Sequence, residues 1–561
     1  MEGAASSLLS LFSFLFFSFT ILFSFFSLLL YFMMVRLWCN CEVCHTLMTS
    51  GWSRKFDNLC DWYTHLLQES PMGTIHIHIL GNTITANPKN VEHMINTRFE
   101  NYPKGKPFSA LLGDLLGQGI FNVDGDKWRF QRKMASLELG SVSVRSYAFE
   151  IVTGEIRNRL LPLMKSFSDQ ERIGGNILDL QDVFRRFAFH NICKISFGLD
   201  QGCLGLTLPM SEFTAAFDLA SNLLAKRATA ASPLIWKIKR LLNVGSERKL
   251  RRAIGLVHVL ADEVIKKRRS LGMSSQGDLL SRFMGSVNDD RYLRDIVISF
   301  LLAGRDTVAS ALTSFFWLLS KHPEVGSKVL DETAQVMGQT QHLATYDQLK
   351  AMHYLHAALY ETMRLHPPVQ HDSKHAAADD ILPDGTFVRQ GTKVTYHSYA
   401  MGRMEKIWGT DCMEFKPQRW LKGGVFSPES PFKYPVFHAG SRVCLGKEMA
   451  VVEMKSVAVA MVRMFKIDVL DPEHGLRYKP GLTASLDGGL LVSLLRTQAS
   501  IMGIYRQSVE TPQVIAKFRA DYGIPDDVLI RLNDPENPFD GYSFTNGRMP
   551  FYLVTVVEGG V

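Results

Sequence analysis

The stretch that decides the fold runs from Phe437 to Gly446 and reads Phe-His-Ala-Gly-Ser-Arg-Val-Cys-Leu-Gly. Cys444 is its only sulfur, and Gly440 and Gly446 lie on either side of it. Glycine suits tight turns and close backbone approaches, because it has no Cβ. Arg442 comes two residues before the cysteine, where its guanidinium can pair with an anion. The stretch therefore predicts a tightly turned loop that presents one thiol beside one cation.

An apolar run at helical spacing follows this loop from Lys447 to Met464 and predicts a helix that begins just after Cys444. A thiol just before a helix N-terminus is expected to ionise more readily, because the helix dipole favours negative charge there. A lone thiolate in a glycine-lined loop suits an axial ligand of haem iron, with Arg442 paired to a propionate. A buried structural cysteine in a turn is the alternative interpretation.

Composition limits the classes of protein that this chain can represent. Its 561 residues are 46% hydrophobic, which fits a well-buried core, and its formal charge of +7 is modest. The chain has no dense lysine and arginine block of the kind that binds nucleic acid. Eight cysteines are too few for a disulfide framework. One cluster of residue types that bind zinc is present and consists of Cys39, Cys41, Cys44 and His45. No second group of ligands follows it at the spacing of a zinc site, so reduced cytosolic thiols are the preferred interpretation.

The N-terminal stretch from Leu8 to Val35 carries no charge and consists mostly of leucine, phenylalanine and serine. It is long enough to span a bilayer and too long for the apolar core of a cleaved signal peptide. Glu2 precedes it, whereas Arg36 and Arg54 follow it, and this positive-inside bias places the body of the protein in the cytosol. We therefore predict a membrane anchor over residues 1–36.

Two further segments complete the predicted organisation. Residues 37–498 form the main domain, and residues 499–561 form an appended tail of unknown role. The tail contains Pro525, Pro535 and Pro538 and has more acidic than basic residues, unlike the chain before it.

A helical pattern from Asp126 to Glu138 places Trp128 and Arg132 on one face, because they are four residues apart. From spacing alone, a surface arginine packed on a tryptophan is the simpler interpretation. The preceding stretch, Pro103 to Gly125, contains several glycines and is predicted to be rich in loops.

The longest apolar helical stretch of the main domain runs from Arg291 to Lys321. Its middle contains Gly304, and a glycine in a helix interior costs about 1 kcal/mol relative to alanine. Asp306 and Thr307 bring an acid and a hydroxyl into apolar surroundings, where such groups need partners. Together these residues predict a local opening that admits a small ligand and water. A core helix with a tolerated glycine and a satisfied threonine is the alternative.

The remaining pattern places short strands at both ends of a helical body. Thr74 to Ala86 alternates apolar and polar residues and predicts a β-hairpin, and Gly481 to Leu495 predicts a last hairpin. His353 to His366 predicts a helix that ends before two prolines, with Glu361 and Arg364 on one face. The fold class is therefore mainly α with small β-sheets.

The motifs around Trp128, Thr307, Glu361 and Cys444 resemble, in the same order along the chain, those of the cytochrome P450 superfamily. The resemblance covers the chain from about Trp52 to Arg496. It implies the cytochrome P450 fold behind a single transmembrane helix, with haem b (iron protoporphyrin IX) as the cofactor and Cys444 as the ligand of its iron.

The resemblance also assigns roles to individual residues. Thr307 would steady bound dioxygen, and Asp306 would relay protons through water. The other cofactor-binding residues that it implies are Arg442, Trp128, Arg132, Phe437, Gly440 and Gly446.

In the resembled family the Glu361 and Arg364 pair is buried and is joined by a second arginine. Here Arg419 occupies that position, in the stretch from Phe415 to Trp420. The family usually has glutamate where this chain has Gln418. The triad is expected to hold the segment leading to the cysteine loop and to do no chemistry.

Finer features resemble the plant fatty-acid ω-hydroxylase clan, including the stretches Phe121 to Lys133 and Tyr399 to Arg403. Asn101 to Lys106 and Leu137 to Ser141 look most like the branch that oxidises jasmonoyl-isoleucine at its ω carbon. That branch can carry the alcohol on to a carboxylic acid. Fatty-acid ω-hydroxylation, as in cutin, suberin or lipid metabolism, is the close alternative.

Two other classes are remote alternatives. One is a haem-thiolate isomerase or dehydratase that works without a reductase, and the other is a membrane-anchored haem sensor without turnover. Members of the first class typically lack the Asp306–Thr307 pair and lengthen the cysteine loop, and neither change is present here.

The resemblance implies NADPH–cytochrome P450 reductase, O2 and the membrane as partners, an amphipathic carboxylate as substrate, and no nucleic acid. It places the protein in the endoplasmic reticulum membrane as a single-pass protein whose catalytic domain is cytosolic. A basic face for the reductase is predicted from Lys127, Arg129, Lys133, Lys433 and Lys447.

A substrate of this kind has an anionic head and an apolar tail. Lys104 and Lys106 are candidates for holding the carboxylate, although two lysines on a loop are commonly just solvated. The loop Phe108 to Phe121 and the segment Val369 to Ser373 are predicted to form the walls of an apolar channel.

Overall fold

The computed structural model describes residues 2–39, 41–140, 142–168, 177–199, 212–230, 233–270, 278–338, 343–473 and 475–496. The predicted tail over residues 499–561 lies outside the described residues, so its role stays a prediction. The helices in chain order are α1 (Glu2–Trp38), α2 (Glu42–Met48), α3 (Leu59–Glu69), α4 (Pro88–Glu92), α5 (Gly105–Leu116), α6 (Gly125–Leu139), α7 (Val142–Glu155), α8 (Leu161–Ser168), α9 (Leu180–Phe197), α10 (Glu212–Ala228), α11 (Pro233–Leu242), α12 (Gly245–Ser270), α13 (Leu279–Met284), α14 (Asp290–Lys321), α15 (Pro323–Met337), α16 (Tyr346–Ala351), α17 (His353–Leu365), α18 (Ser398–Met401), α19 (Glu405–Trp408) and α20 (Lys447–Met464).

The strands are short and form small sheets, as the fold class requires. They are β1 (Thr74–Ile77), β2 (Asn82–Thr85), β3 (Leu178–Asp179), β4 (Asp372–His375), β5 (Asp380–Ile381), β6 (Phe387–Val388), β7 (Lys393–Tyr396), β8 (Leu421–Lys422), β9 (Val425–Phe426), β10 (Phe465–Val469) and β11 (Leu491–Arg496). The largest sheet has the order β1-β2-β7-β4, in which β2 and β7 are parallel and the other pairs are antiparallel. The predicted hairpin at Thr74 to Ala86 is confirmed as β1 and β2.

Helix α14 is the centre of the core and confirms the predicted long helix. Its first turn is capped by Asp289, whose carboxylate accepts the N–H of Arg291 at 2.9 Å. The helix packs against α9, α12, α17 and α20, and Leu312 and Phe315 are fully buried there. Each such side chain contributes about 1.5–3 kcal/mol on burial. Packing of this kind, rather than helix propensity, holds the helical body together.

Within the described residues, two helices are long and apolar enough to cross a membrane, and they differ in burial. Within α1, the stretch Phe12–Tyr31 has a mean hydropathy of 2.2 and none of it is buried inside the protein. In α14, by contrast, 83% of the apolar stretch is buried, so α14 is a core helix. The exposed apolar helix α1 fits the predicted single membrane anchor.

Two local predictions were wrong. The stretch Pro103 to Gly125 contains the helix α5, which begins at Gly105 (φ +78°), includes Gly113 in its interior and is followed by Gly117 at φ +48°. The last hairpin also differs, because β11 pairs with β10 and β3 rather than with the chain just before it. Gly489 lies at φ +79° in this region, where a Cβ would come within 2.2 Å of an Asp179 oxygen.

The buried triad implied by the resemblance is present. Arg364 donates from Nε and Nη2 to the Glu361 carboxylate at 2.7 and 2.8 Å, and both side chains are fully buried. Arg419 Nε donates to the same carboxylate at 3.4 Å. Arg364 also donates to the carbonyl oxygens of Cys412 and Glu414 at 2.6 and 2.9 Å. The triad therefore joins α17 to the segment that leads to the cysteine loop.

Candidate active site

The cysteine loop is closed by its own backbone. The N–H of Cys444 donates to the carbonyl oxygen of Phe437 at 2.8 Å, and α20 begins three residues later at Lys447. The Phe437 ring lies 5.8 Å from the Tyr360 ring of α17. The loop is thus fixed between α17 and the start of α20, as predicted.

The two glycines of the loop have different roles. Gly440 lies at φ +59°, and a Cβ there would come within 2.2 Å of the carbonyl oxygen of Ile95. Only glycine fits such a position. Gly446 lies at φ −87°, a conformation open to any residue. The prediction of a necessary glycine is confirmed for Gly440 but not for Gly446.

Cys444 is solvent-accessible, yet protein closely surrounds it. Burial raises the pKa of its thiol and outweighs the N–H of Gly446 and the charges of Arg132 and Lys447, which lower it. Burial therefore acts against the easier ionisation that the helix position predicts. A bound metal ion removes the proton from a coordinating thiol outright, so binding to the haem iron would convert the Cys444 thiol to a thiolate.

Arg442 lies over the ring of Trp128, with 4.6 Å between the guanidinium carbon and the ring centroid. Its Nη2 donates to the Asp124 carboxylate at 2.6 Å and to the carbonyl oxygen of Val123 at 3.1 Å. Trp128 itself is buried. The loop is thereby connected to the start of α6, and the arginine that lies over Trp128 is Arg442, whereas the sequence predicted Arg132 beside it.

Arg132 provides the test of whether a haem fits here. It is half-buried and makes no hydrogen bond or ion pair with another residue in the part of the chain that the structure describes. Burial lowers its pKa, and its charged neighbours are Cys444 and Arg442. Two guanidinium groups close together, of which only Arg442 has a carboxylate partner, can accept a further anion. A haem propionate is such an anion, so these residues fit the cofactor.

The middle of α14 differs from the predicted local opening. The helix is continuous from Asp290 to Lys321 and has no local opening. Gly304 is explained by packing, because a Cβ there would come within 2.5 Å of the Ile192 side chain on α9. Thr307 Oγ1 donates to the carbonyl oxygen of Ala303 at 2.6 Å, which leaves its lone pairs free to accept.

Asp306 is buried beside α14's own arginine. Its Oδ1 lies 3.2 Å from Arg305 Nη1, and Thr483 Oγ1 donates to its Oδ2 at 3.4 Å. Burial raises the pKa of Asp306, although the charge of Arg305 opposes that change. The carboxyl group is therefore better able to hold a proton than an exposed aspartate.

One face of α14 and the segment after α17 carry residues that are not fully buried. Ala303, Gly304 and Thr307 are partly exposed, whereas Leu302 and Arg305 beside them are buried. In the segment, Val369 and Gln370 are partly exposed and His371 is exposed, yet burial lowers the pKa of His371 to about 4. This is the same combination of accessibility and desolvation that Cys444 has.

A short connection holds these two regions together. Ala484 N–H donates to the carbonyl oxygen of Pro368 at 2.8 Å, and the neighbouring Thr483 donates to Asp306 on α14. Val369, which follows Pro368, begins the predicted channel wall. The hydrogen bonds of Ala484 and Thr483 therefore link the start of this wall to α14.

Sequence reasoning missed a charged cluster beside the cysteine loop. Asp372 accepts from Lys104 Nζ at 2.5 Å and from Lys374 Nζ at 2.9 Å, and these ammonium groups hold its pKa well below the usual range in spite of burial. Tyr396 lies 3.4 Å from Asp372 and 2.5 Å from Nδ1 of His438, which belongs to the loop. No spacing signals this cluster, because its members come from distant parts of the chain.

This cluster also changes the candidates for holding a substrate carboxylate. Lys104 is buried, and Asp372 already compensates its charge. Lys106 is exposed on the first turn of α5 and is the better candidate of the two.

An accessible cysteine at the start of a buried helix, next to an arginine in need of an anion, defines a haem-thiolate protein. The chain belongs to the cytochrome P450 family, whose family model matches residues 46–483. This confirms the resemblance, the fold and the haem cofactor.

Curated relatives agree with that assignment. Cytochrome P450 94C1 of Arabidopsis thaliana is 59% identical over 485 residues, covering 85% of this chain and 97% of the relative. Cytochrome P450 94B3 of the same plant is 49% identical over 452 residues, with 78% and 88% covered. Cytochrome P450 94A1 of Vicia sativa is 44% identical over 451 residues, with 77% and 86% covered. The chain is thus an NADPH- and O2-dependent monooxygenase of the cytochrome P450 94 clan.

Proposed function

We propose that this protein hydroxylates jasmonoyl-isoleucine at its terminal ω carbon, carries the alcohol on to the carboxylic acid, and so serves jasmonate catabolism. The stretches Asn101 to Lys106 and Leu137 to Ser141, which look like the jasmonoyl-isoleucine branch, support the substrate. The observation that carries the regiochemistry is the accessible segment Val369 to His371, which hydrogen bonds through Ala484 and Thr483 connect to Asp306 on α14. Haem with a thiolate ligand supplies oxygen activation and O–O cleavage when bound.

Terminal attack needs positioning, because a methyl group has stronger C–H bonds than the methylenes next to it. Chemistry without guidance would therefore prefer in-chain carbons. A channel that holds the chain end-on can decide between neighbouring carbons. Val369, Gln370 and His371 are the residues that we propose to enforce this orientation, with Lys106 near the carboxylate.

Val369→Phe is expected to shift hydroxylation away from the ω carbon or to block it, because the added ring fills the space beside α14. Product positions are read by mass spectrometry after turnover with reductase and NADPH. Val425→Phe, the same change on the exposed strand β9, is the matched control and is expected to leave the product pattern intact. Unchanged ω selectivity in Val369→Phe would remove this segment from the channel.

The substrate is tested by incubating microsomes that contain the protein, reductase and NADPH with jasmonoyl-isoleucine and lauric acid side by side. We expect faster conversion of jasmonoyl-isoleucine at limiting concentration. A clear preference for lauric acid would instead establish the alternative, a fatty-acid ω-hydroxylase.

We further propose that Thr307 and Asp306 manage protons. The Thr307 hydroxyl, fixed by its bond to Ala303, would accept a hydrogen bond from a water molecule in the accessible space. Asp306, whose pKa is raised by burial, would supply protons through water from its place beside Thr483.

Thr307→Ala is expected to keep haem and substrate binding but to uncouple NADPH use from product, with release of hydrogen peroxide. The matched control is Thr313→Ala on the same helix, whose hydroxyl makes the same backward bond, to Ala309 at 2.7 Å, but is fully packed. NADPH, peroxide and product are measured together. Equal coupling in both variants would make Thr307 purely structural.

We propose NADPH–cytochrome P450 reductase as the electron donor, the endoplasmic reticulum membrane as the location and residues 37–498 as the cytosolic catalytic domain. The proposed docking face is less basic than a count of charges suggests. Arg129 pairs with Glu100 at 2.9 Å and Asp126 at 3.1 Å, and Lys433 pairs with Glu429 at 3.3 Å. Lys127, Lys133 and Lys447 make no ion pair within the described residues and are the main candidates for contacts with the reductase.

A further inference from the structure

Three cysteines and one histidine meet just after the membrane anchor. The ligand atoms of Cys39, Cys41, Cys44 and His78 all lie within 4.8 Å of one another. The sequence offered His45 as the fourth member, but the folded chain brings His78 there instead. His78 follows β1 in the hairpin, so the fourth ligand comes from a different part of the fold than the three cysteines.

The spacing of these atoms matches a tetrahedral metal site. In a tetrahedron with Zn–S distances of about 2.3 Å, neighbouring sulfurs lie about 3.8 Å apart. A separation within 4.8 Å therefore needs only a small contraction around an ion. Cys41 and Cys44 also have the two-residue spacing that is common in structural zinc sites.

The four side chains differ in solvent exposure, and this arrangement suits a structural ion. Cys44 is fully buried, Cys39 and Cys41 are half-buried, and the His78 imidazole is exposed, which provides an entry path. Cys39, Cys41 and Cys44 form no disulfide and are present as thiols.

We propose that Cys39, Cys41, Cys44 and His78 bind one Zn2+ ion through three thiolates and one imidazole. The ion would tie the chain that leaves the anchor to the β1–β2 hairpin. Zn2+ is the class of ion that this ligand set takes in tetrahedral geometry, and four protein ligands leave no open position for catalysis. Binding would release the thiol protons, and it would stabilise this corner of the fold.

The test uses the full-length, haem-loaded protein purified in detergent. Metal analysis is expected to give about one zinc per haem iron, and zinc X-ray absorption is expected to give three Zn–S distances of about 2.3 Å and one Zn–N distance of about 2.0–2.1 Å. Neither readout depends on enzymatic activity. Zinc well below one per haem after expression with added zinc, stoichiometric copper in its place, or a disulfide found among the three cysteines would each overturn the proposal.

Variants test the ligands individually. Cys41→Ser and His78→Ala are expected to lose most of the zinc while keeping the haem spectrum. The matched controls are His45→Ala, an exposed histidine on α2 outside the cluster, and Cys412→Ser, a buried cysteine elsewhere, and both are expected to keep the zinc. Zinc that persists in the double variant Cys41→Ser with His78→Ala would place the ion at other residues.

Discussion

Cys444→Ser is expected to abolish the red-shifted absorption band of the reduced carbon monoxide complex and all turnover. The expectation follows from the geometry, because the Cys444 sulfur is the accessible thiol of a loop that Phe437 and Gly440 hold in place. A serine hydroxyl keeps the loop intact but does not provide the thiolate that favours O–O cleavage. The band and the rate of product formation are measured on equal amounts of haem.

The control for this prediction is Cys412→Ser. Cys412 is buried, and its thiol contacts the carbonyl oxygen of Arg403 at 3.4 Å, a contact that a hydroxyl can keep. That variant is expected to retain the band. If Cys444→Ser also retained it, the assignment of the iron ligand would be wrong.

Arg364→Ala is expected to prevent accumulation of haem-loaded protein. The change removes the main partner of the fully buried Glu361 and the donors to the carbonyl oxygens of Cys412 and Glu414. Loss of one partner from a buried ion pair costs about 3–5 kcal/mol. This is a large fraction of the stability of a folded domain, which is about 5–15 kcal/mol.

The measurement is the haem content per total protein, followed by the thermal midpoint of whatever is loaded. Gln418→Glu, which restores the residue usual in the family, is the matched control, because Gln418 is exposed next to Arg419 without belonging to the triad. It is expected to behave like the parent. Normal haem content and midpoint in Arg364→Ala would mean that the triad does not hold the loop.

Local motifs predicted the class and the iron ligand, because the cysteine loop and α14 are continuous in sequence. The free energy of ionisation at Cys444 could not be predicted in the same way. The helix position is a local feature, whereas burial depends on the whole surrounding fold, and burial raises the pKa. The ionisation of the Cys444 thiol therefore depends on tertiary structure as well as on its position before a helix.

Glycines were the least reliable guide. Those between Pro103 and Gly125 indicated a loop, but Gly105 begins α5, Gly113 lies inside it, and Gly117 follows its last residue at a positive φ. Gly304 indicated an opening in α14, but it makes room for Ile192 of α9. Sequence alone cannot separate a glycine that breaks an element from one that admits a neighbour.

Sites assembled from distant segments were also beyond sequence analysis. The fourth member of the cysteine cluster is His78 rather than the adjacent His45, and Asp372 gathers Lys104 and Lys374 beside the loop. The first cluster joins the segment around α2 to the β1–β2 hairpin, and the second joins Lys104, just before α5, to strand β4. Such pairings depend on topology, which spacing does not encode.

The measurement that tests the central claim most directly is the fate of isotopically labelled dioxygen. The full-length protein is incubated with reductase, NADPH and jasmonoyl-isoleucine under the labelled gas, and the product is analysed by mass spectrometry. We expect one labelled oxygen atom at the ω carbon of the first hydroxylated product, with NADPH consumed. Oxygen derived from water, or product formed without NADPH, would contradict the assignment as a monooxygenase.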